Sequence, residues 1–195
     1  MLILASRSPR RRHLLGLLGV EFVVRPAAIL ERRLPGERPE RLAVRLAREK
    51  TLAVALSLSP RERSLAVLLG ADTVVALGDS VMGKPHSARE ARRMLASLSG
   101  RTHRVVTALA VWIGRTGKMT SGHRVTKVTF ARLERDRIRR YVDTGEPMDV
   151  AGAYAIQGLA GVFIPRVSGS VSNVVGLPLD LAATMLARAG VRGLP

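Results

Sequence analysis

Apolar and polar residues along this chain alternate between the two-residue period of strands and the longer period of amphipathic helices. Short apolar or alternating runs predict strands at 2–5, 22–24, 65–77, 81–82, 105–113, 124–131, 162–167 and 171–175. Amphipathic runs predict helices at 9–18, 39–57, 87–98, 133–143 and 179–189. The first three begin at Ser8 with Pro9, at Pro39 and at a capping box that starts with Ser87. Residues 28–40 and 152–161 are predicted to be loops, and 115–122 a turn. No repeat or linker interrupts the series, so we expect one α/β domain over residues 1–195.

The composition excludes several classes of protein. Hydrophobic residues make up 47% of the chain, which is enough for a substantial core and excludes a disordered polypeptide. The absence of cysteine excludes disulfides, zinc–thiolate sites, iron–sulfur clusters and cysteine nucleophiles. No apolar run reaches the roughly 18 residues of a membrane helix, and the N-terminus does not resemble a signal peptide. These features favour a cytoplasmic protein with no membrane partner.

The net charge of +17 favours partners that carry many negative charges, such as nucleic acids or nucleotide phosphates. Arginine supplies 28 of the 32 basic residues, and these arginines are scattered from end to end. Aromatic residues make up 3% of the chain, too few to stack on successive bases. We therefore expect no nucleic-acid partner, and most of the arginines are expected to form a solvated surface.

Two arginines stand on the apolar side of the first predicted helix. Its buried face is defined by Leu14, Leu15, Leu17 and Leu18. Arg10 and Arg11 fall within that arc, whereas Arg12 points outside it. Cations in the first turn of a helix are unfavourable next to its positive dipole end, unless an anion binds there. The pair therefore indicates a phosphate site, with a surface pair at the rim of the core as the alternative.

A lysine stands in the middle of the apolar face of the second helix. That face is formed by Leu42, Ala43, Leu46, Ala47, Ala53 and Val54, while Thr51 and three arginines lie outside it. Burying an unpaired ammonium group is costly, so Lys50 is expected to have a partner or to reach a cleft. The alternative is a side chain that extends past the alanines to solvent.

An aspartate interrupts the most apolar predicted strand. The carboxylate of Asp72 must be hydrogen-bonded, metal-bound or protonated there, and at the end of a strand it could hold a metal or orient a water. A structural aspartate that accepts backbone N–H groups is the alternative. Lys84 adds a cation after the next turn. One carboxylate, several cations and no nucleophile triad suggest metal-assisted hydrolysis of a polyphosphate.

The sequence resembles the Maf family, nucleoside triphosphate pyrophosphatases once described as septum formation inhibitors. The resemblance is carried by residues 2–19, 70–75, 83–111, 141–164 and 173–179. These blocks cover more than half of the chain, in order and with the spacing of the family. Such a series is more specific than any one motif.

The resemblance implies an α/β fold of the Maf/inosine-triphosphatase type, a long mixed sheet flanked by helices with two lobes around a cleft. It implies a homodimer and a divalent cation, Mg²⁺ or Mn²⁺. The implied reaction cleaves between the α- and β-phosphates and yields a nucleoside monophosphate and pyrophosphate.

The resemblance also assigns roles to single residues. Asp72 takes the position of the catalytic carboxylate, which accepts a proton or holds the metal. The positions around the triphosphate are matched by Ser6, Arg10, Arg11, Lys50 and Lys84. Three of those cations are the ones that the helical patterns single out independently.

The choice of base is implied by three positions. The family branch that acts on dTTP and UTP resembles this chain at Arg10, Thr73 and Gln157, whereas the 7-methyl-GTP branch has glutamine and glutamate at the last two. A glutamine amide can donate and accept, which suits the imide edge of uracil or thymine. We therefore expect a dTTP/UTP pyrophosphatase that could also accept modified pyrimidine triphosphates. The alternatives are a 7-methyl-GTP pyrophosphatase and a protein that binds nucleotides or nucleic acids without hydrolysis.

Three positions depart from the family pattern. Where the family has an acidic cluster, this chain reads Ala27-Ala28-Ile29-Leu30-Glu31 and keeps only Glu31, which with Asp72 is a candidate metal ligand. Val150 stands where the family has lysine, and Ala155 where it has glycine.

Overall fold

The computed structural model describes residues 1–193. Its strands are β1 (Leu2–Ala5), β2 (Val23–Val24), β3 (Val67–Leu77), β4 (Ser80–Met82), β5 (Thr102–Ile113), β6 (Lys118–Thr129) and β7 (Arg166–Ser168). Its helices are α1 (Pro9–Gly16), α2 (Pro39–Ser57), α3 (Pro60–Leu65), α4 (Ala88–Leu98), α5 (Arg135–Asp143), α6 (Val171–Val175) and α7 (Leu179–Arg188). Short 3₁₀ helices cover Glu146–Asp149, Ala151–Ala153 and Leu159–Phe163. None of the helices within residues 1–193 has the length and apolar character needed to cross a bilayer.

The seven strands form one mixed sheet. Its strand order is β2-β1-β3-β5-β6-β7, and β4 pairs with β3. Strand β1 is parallel to β2 and β3, with Ala5 opposite Gly70, whereas β4 and β7 are antiparallel to their neighbours. The mixed sheet with its flanking helices confirms the predicted α/β class.

The chain forms two compact units. The first comprises Met1–Asp72, Thr107–Arg124 and the C-terminal segment from Gly176, and the second comprises Thr73–Val106 and Val125–Val175.

The core of the first unit lies between the sheet and α2. Ile3, Leu68 and Trp112 on the strands pack with Val54 of the helix and with Leu58, which directly follows the helix. The helix approaches closely at Gly70, where a Cβ atom would collide with the side chain of Thr51. Thr51 is therefore buried, against the expectation from the helical pattern, and its hydroxyl donates to the carbonyl of Ala47 at 2.8 Å.

The core of the second unit, to which α4 and α5 contribute, contains an aromatic cluster. His103, Phe130 and Tyr154 make edge-to-face contacts with ring centroids 4.9–5.3 Å apart. The Nε2 atom of His103 is hydrogen-bonded to the Tyr154 hydroxyl at 2.8 Å. Burial lowers the pKa of His103 to about 4, so this imidazole is neutral at physiological pH.

Two predictions for the C-terminal third were wrong. Residues 171–175 form helix α6 instead of a strand, because the Ser170 hydroxyl accepts from the backbone N–H of Asn173 and starts a helical turn. The buried Asn173 amide then donates to Val105 and Thr126. Of the predicted strand at 162–167, only its end lies in a strand, β7, and Leu159–Phe163 is 3₁₀ helix.

Strand β6 and helix α3 also differ from the prediction. Strand β6 begins at Lys118, so Gly122 lies inside a strand, near Leu181, and the reversal is completed by Gly117. Helix α3 was not predicted, although Ser59 and Glu62 form a capping box at its start.

Candidate active site

One buried ion-pair network joins three of the candidate residues in the first unit. The Lys50 ammonium lies 2.6 Å from Oδ1 of Asp72 and 2.8 Å from Oε1 of Glu31. Lys50 and Asp72 are buried, whereas the Glu31 side chain is half exposed. Two carboxylates from different segments therefore converge on a single cation.

Local sequence explains why this cation and the Asp72 carboxylate face each other. Lys50 occupies the inner face of α2, as its helical position predicts, and β3 carries Asp72 through the core. Since both groups are buried, each needs the other to offset lost hydration. Lys50 has the partner that its buried position predicts. Asp72 is hydrogen-bonded, and its partner is the Lys50 side chain.

Opposing influences act on the Asp72 carboxyl group. Burial raises its pKa above the usual value for aspartate, and the positive charges of Lys50 and Arg11 oppose that rise. A carboxylate with a raised pKa is a stronger base than a solvated one. Asp72 thus combines the basicity and the charged surroundings expected of a proton acceptor.

Arg11 is held beside this network by two acceptors. Its Nε atom donates to the carbonyl of Gly176 at 2.9 Å, and its Nη1 atom donates to the hydroxyl of Ser6 at 3.3 Å. Burial lowers the pKa of Arg11, while the charges of Asp72 and Glu31 raise it. The structure therefore brings together Ser6 and Arg11 with the carboxylates of the network.

The start of α1 follows the predicted pattern. Ser8 caps the helix by accepting from the backbone N–H of Arg11, and Pro9 is the first helical residue. Arg10 and Arg11 are half-buried, whereas Arg12 is exposed, as the helical arc predicts. The arc is wrong for Leu17, which follows the end of α1 and is 60% exposed. Ser6 Oγ also accepts from the N–H of Ser8 at 3.2 Å, which fixes the turn between β1 and α1.

Three candidate residues belong to the second unit. Thr73 follows Asp72 in β3 and is half-buried. Lys84 is exposed and forms an ion pair with Asp149. Gln157 is exposed in a turn between two 3₁₀ helices.

Sequence reasoning missed the carbonyl that orients Arg11. Gly176 has a φ of 122°, a conformation that favours glycine, and its carbonyl reaches a residue 165 positions away in sequence. A backbone acceptor has no side-chain signature. The sequence marked Gly176 only through the family resemblance, since this residue lies in the matching block 173–179.

The convergence of Asp72 and Glu31 is compatible with a divalent cation. No group of three histidine or acidic side chains that could hold a metal occurs within residues 1–193. Mg²⁺ is commonly bound by one or two carboxylates together with substrate phosphates and water, and Asp72 and Glu31 supply such a pair. The donor set fits a metal that arrives with its phosphate ligand.

A cavity of about 670 Å³ lies on the other side of α2. Its lining includes Val44, Leu52, Trp112 and Met119. At about 100° per residue, Lys50 lies on the face of α2 opposite the residues that border this cavity. The candidate active site is therefore separate from it.

Comparison with known proteins agrees on one family over nearly the whole chain. A family model described as Maf-like protein matches residues 1–189. A dTTP/UTP pyrophosphatase of Anaeromyxobacter dehalogenans (strain 2CP-C) is 53% identical over 97% of this chain and 94% of its own length. A dTTP/UTP pyrophosphatase of Desulforamulus reducens is 46% identical over 97% of both chains, and one of Aquifex aeolicus is 45% identical over 91% of this chain and 89% of its own.

Proposed function

The chain belongs to the Maf family, and on that basis we propose that it hydrolyses dTTP and UTP to the monophosphate and pyrophosphate. It is an enzyme that acts on nucleoside triphosphates. The substrates follow from the shared name of relatives at 45–53% identity. The reaction type is carried by one observation, the buried carboxylate of Asp72 with Lys50 and Arg11 close to it.

We assign the activation of water to Asp72. Its carboxylate accepts a proton from water as the water oxygen bonds to one phosphorus of the α–β anhydride. The bond from phosphorus to the bridging oxygen then breaks, and pyrophosphate and the monophosphate are released. The raised pKa of Asp72 favours this proton transfer.

The neighbouring cations stabilise the charge that accumulates on the phosphates. Arg11 presents a guanidinium that Ser6 and Gly176 orient, so little rearrangement is needed when a phosphate binds. Lys50 supplies a second positive charge beside Asp72. Positioned cations are the main protein contribution to phosphoryl transfer. Arg10 and Lys84 are proposed to contact the triphosphate as well.

We also propose that Asp72 and Glu31 hold Mg²⁺ or Mn²⁺ together with the substrate phosphates. The support is that both carboxylates already meet at the Lys50 ammonium. When bound, such an ion neutralises phosphate charge and lowers the pKa of a coordinated water.

Thr73, Gln157 and Arg10 are proposed to select the base. The support is the family resemblance at these positions together with the chemistry of an amide, which can pair with both the N–H and a carbonyl of an imide. A pocket that reads this edge also accepts pyrimidines modified at position 5.

Replacing Gln157 with glutamate tests this selection. A carboxylate cannot donate to a pyrimidine carbonyl, so we expect kcat/KM for dTTP and UTP to fall by about 10-fold or more. The exposed site should leave the melting temperature unchanged. Turnover of 7-methyl-GTP by the wild type and by Gln157→Glu serves as the reference. Undiminished dTTP turnover in Gln157→Glu would show that Gln157 does not select the base.

The proposed function is tested by pyrophosphate release. We expect purified enzyme with Mg²⁺ or Mn²⁺ to release pyrophosphate faster from dTTP and UTP than from CTP, GTP, 7-methyl-GTP or dATP, and EDTA to stop the reaction. Preference for 7-methyl-GTP would assign the chain to the other branch of the family. Nucleotide binding without turnover by the wild-type protein would show a family member that has lost its chemistry.

Two finer parts of the proposal rest on the family resemblance and the composition. We propose that the enzyme is a homodimer and that it acts in the cytoplasm. Light scattering of the purified protein tests the first, and cell fractionation tests the second.

A further inference from the structure

Glu31 lies in a segment that has no regular secondary structure. The chain between β2 and α2 contains neither helix nor strand, and Glu31 is exposed within it. Its carboxylate, which is 55% exposed, pairs with the buried ammonium of Lys50, and this one ion pair does not fix the backbone of the segment. Other contacts must therefore keep this segment in place.

Arg45 of α2 provides those contacts. Its Nε and Nη2 atoms each lie 2.7 Å from a different oxygen of Glu37, a bidentate pair. Its Nη2 atom also donates to the backbone carbonyl of Arg32 at 2.8 Å. Nη1 of Arg45 bonds Glu49 on the same helix at 3.0 Å, which fixes the guanidinium relative to α2.

Glu37 extends this anchoring into the segment. Its carboxylate also accepts from the N–H of Leu34 at 3.1 Å, and its carbonyl accepts twice from the Arg33 guanidinium. The Glu37 side chain is nearly buried, at 8% exposure, although most neighbouring residues are exposed. Residues 33–37 thus form a closed turn that one arginine joins to α2.

We propose that Arg45 is a positioning residue that holds Glu31 in the active site by fixing the backbone directly after it. This inference rests on the proposed function, because it assumes that Glu31 takes part in the reaction. Arg32, whose carbonyl Arg45 holds, is the residue next to Glu31. Arg45 and Lys50 lie on different faces of α2. Arg45 binds the backbone of the segment at Arg32, and Lys50 binds the Glu31 carboxylate.

Arg48 offers a matched control for Arg45. It lies one turn further along α2, and its guanidinium bonds the Ser121 hydroxyl at 3.4 Å. Arg45→Gln and Arg48→Gln therefore remove the same charge from the same helix, but only the first releases residues 32–37.

Limited trypsin digestion reads the position of the segment without reference to activity. In Arg45→Gln we expect cleavage after Arg32 and Arg33, identified by fragment mass, to be several-fold faster than in the wild type and in Arg48→Gln. Equal cleavage rates in all three proteins would overturn the proposal.

Kinetics test whether Arg45 acts through Glu31. Supporting groups of this kind typically change metal affinity or activity by about 10-fold to 100-fold, so we expect kcat/KM for dTTP to fall by that factor in Arg45→Gln. The half-saturating Mg²⁺ concentration should rise, which a general loss of stability would not cause. In a Glu31→Gln background the same substitution should change kcat/KM by less than about 2-fold, because its effect passes through a carboxylate already removed. Additive effects of the two substitutions would overturn the proposal.

A second variant guards against misfolding of Arg45→Gln. Glu37→Gln weakens the same link from the other side and leaves α2 intact, and it should reproduce the faster cleavage and the Mg²⁺ effect. If the wild-type protein hydrolyses no nucleotide, the proposed function fails, and cleavage rates still decide whether Arg45 holds the segment. If the wild type is active, and Arg45→Gln and Glu37→Gln have the same cleavage rates and the same kinetics as the wild type, the positioning role is wrong and the proposed function stands.

Discussion

Replacing Asp72 with asparagine is expected to reduce kcat/KM for dTTP by about 10³-fold, the scale of a lost general base. The amide has the same shape and its oxygen can still accept from Lys50, but it cannot take a proton from water. Because Lys50 also keeps Glu31 as a partner, the fold should survive the change. Pyrophosphate release measures the loss, and thermal unfolding followed by circular dichroism checks the fold.

An exposed aspartate controls for the chemical change itself. Asp143 lies at the end of α5, and Asp143→Asn should retain wild-type turnover. A folded Asp72→Asn protein with more than about a tenth of wild-type activity would exclude Asp72 as the proton acceptor, since a lost general base costs at least about 100-fold.

Replacing Lys50 with methionine is expected to lower turnover at neutral pH by about 100-fold, because a charge beside the reacting phosphates is lost. The substitution should also change the pH dependence. Asp72 must be ionised to act as a base, and the Lys50 charge is the first of the influences that oppose the rise of its pKa. Without Lys50 the pKa of Asp72 rises further, so activity is lost at a higher pH as the pH falls.

The measurement is kcat/KM for dTTP across a pH series, with circular dichroism at each pH to confirm folding. Lys118→Met removes an exposed lysine of the first unit and should leave the profile unchanged. An acidic limb that stays in place in folded Lys50→Met would show that the ionisation governing activity is not that of Asp72.

Sequence patterns predicted the site residues best where neighbours along the chain decide the outcome. The period of α2 placed Lys50 on a buried face, and the apolar run around Asp72 placed that carboxylate in a core strand. Burial predicted that Lys50 has a partner or reaches a cleft, and that Asp72 is hydrogen-bonded, metal-bound or protonated. Caps at Ser8 and Ser87 likewise located the starts of α1 and α4.

The same local signals were insufficient where distant contacts compete. Valines at 171–175 favour a strand by propensity, but the Ser170 cap and the buried Asn173 amide stabilise a helix there. Thr51 was expected outside the buried face of α2, yet a glycine on β3 allows the helix to approach closely enough to bury it.

By itself, the sequence determined the α/β class and singled out Lys50 and Asp72 as charged groups on buried positions, because periodicity, capping and burial depend on residues close together in the chain. The family followed from the ordered blocks of resemblance. Only the tertiary structure decided which groups these side chains bind. Lys50 meets Asp72 22 positions away, Arg11 bonds a carbonyl 165 positions away, and Arg45 holds the segment that carries Glu31. Such contacts depend on how distant segments pack together, and a backbone carbonyl that accepts one of them leaves no trace in the pattern of side chains.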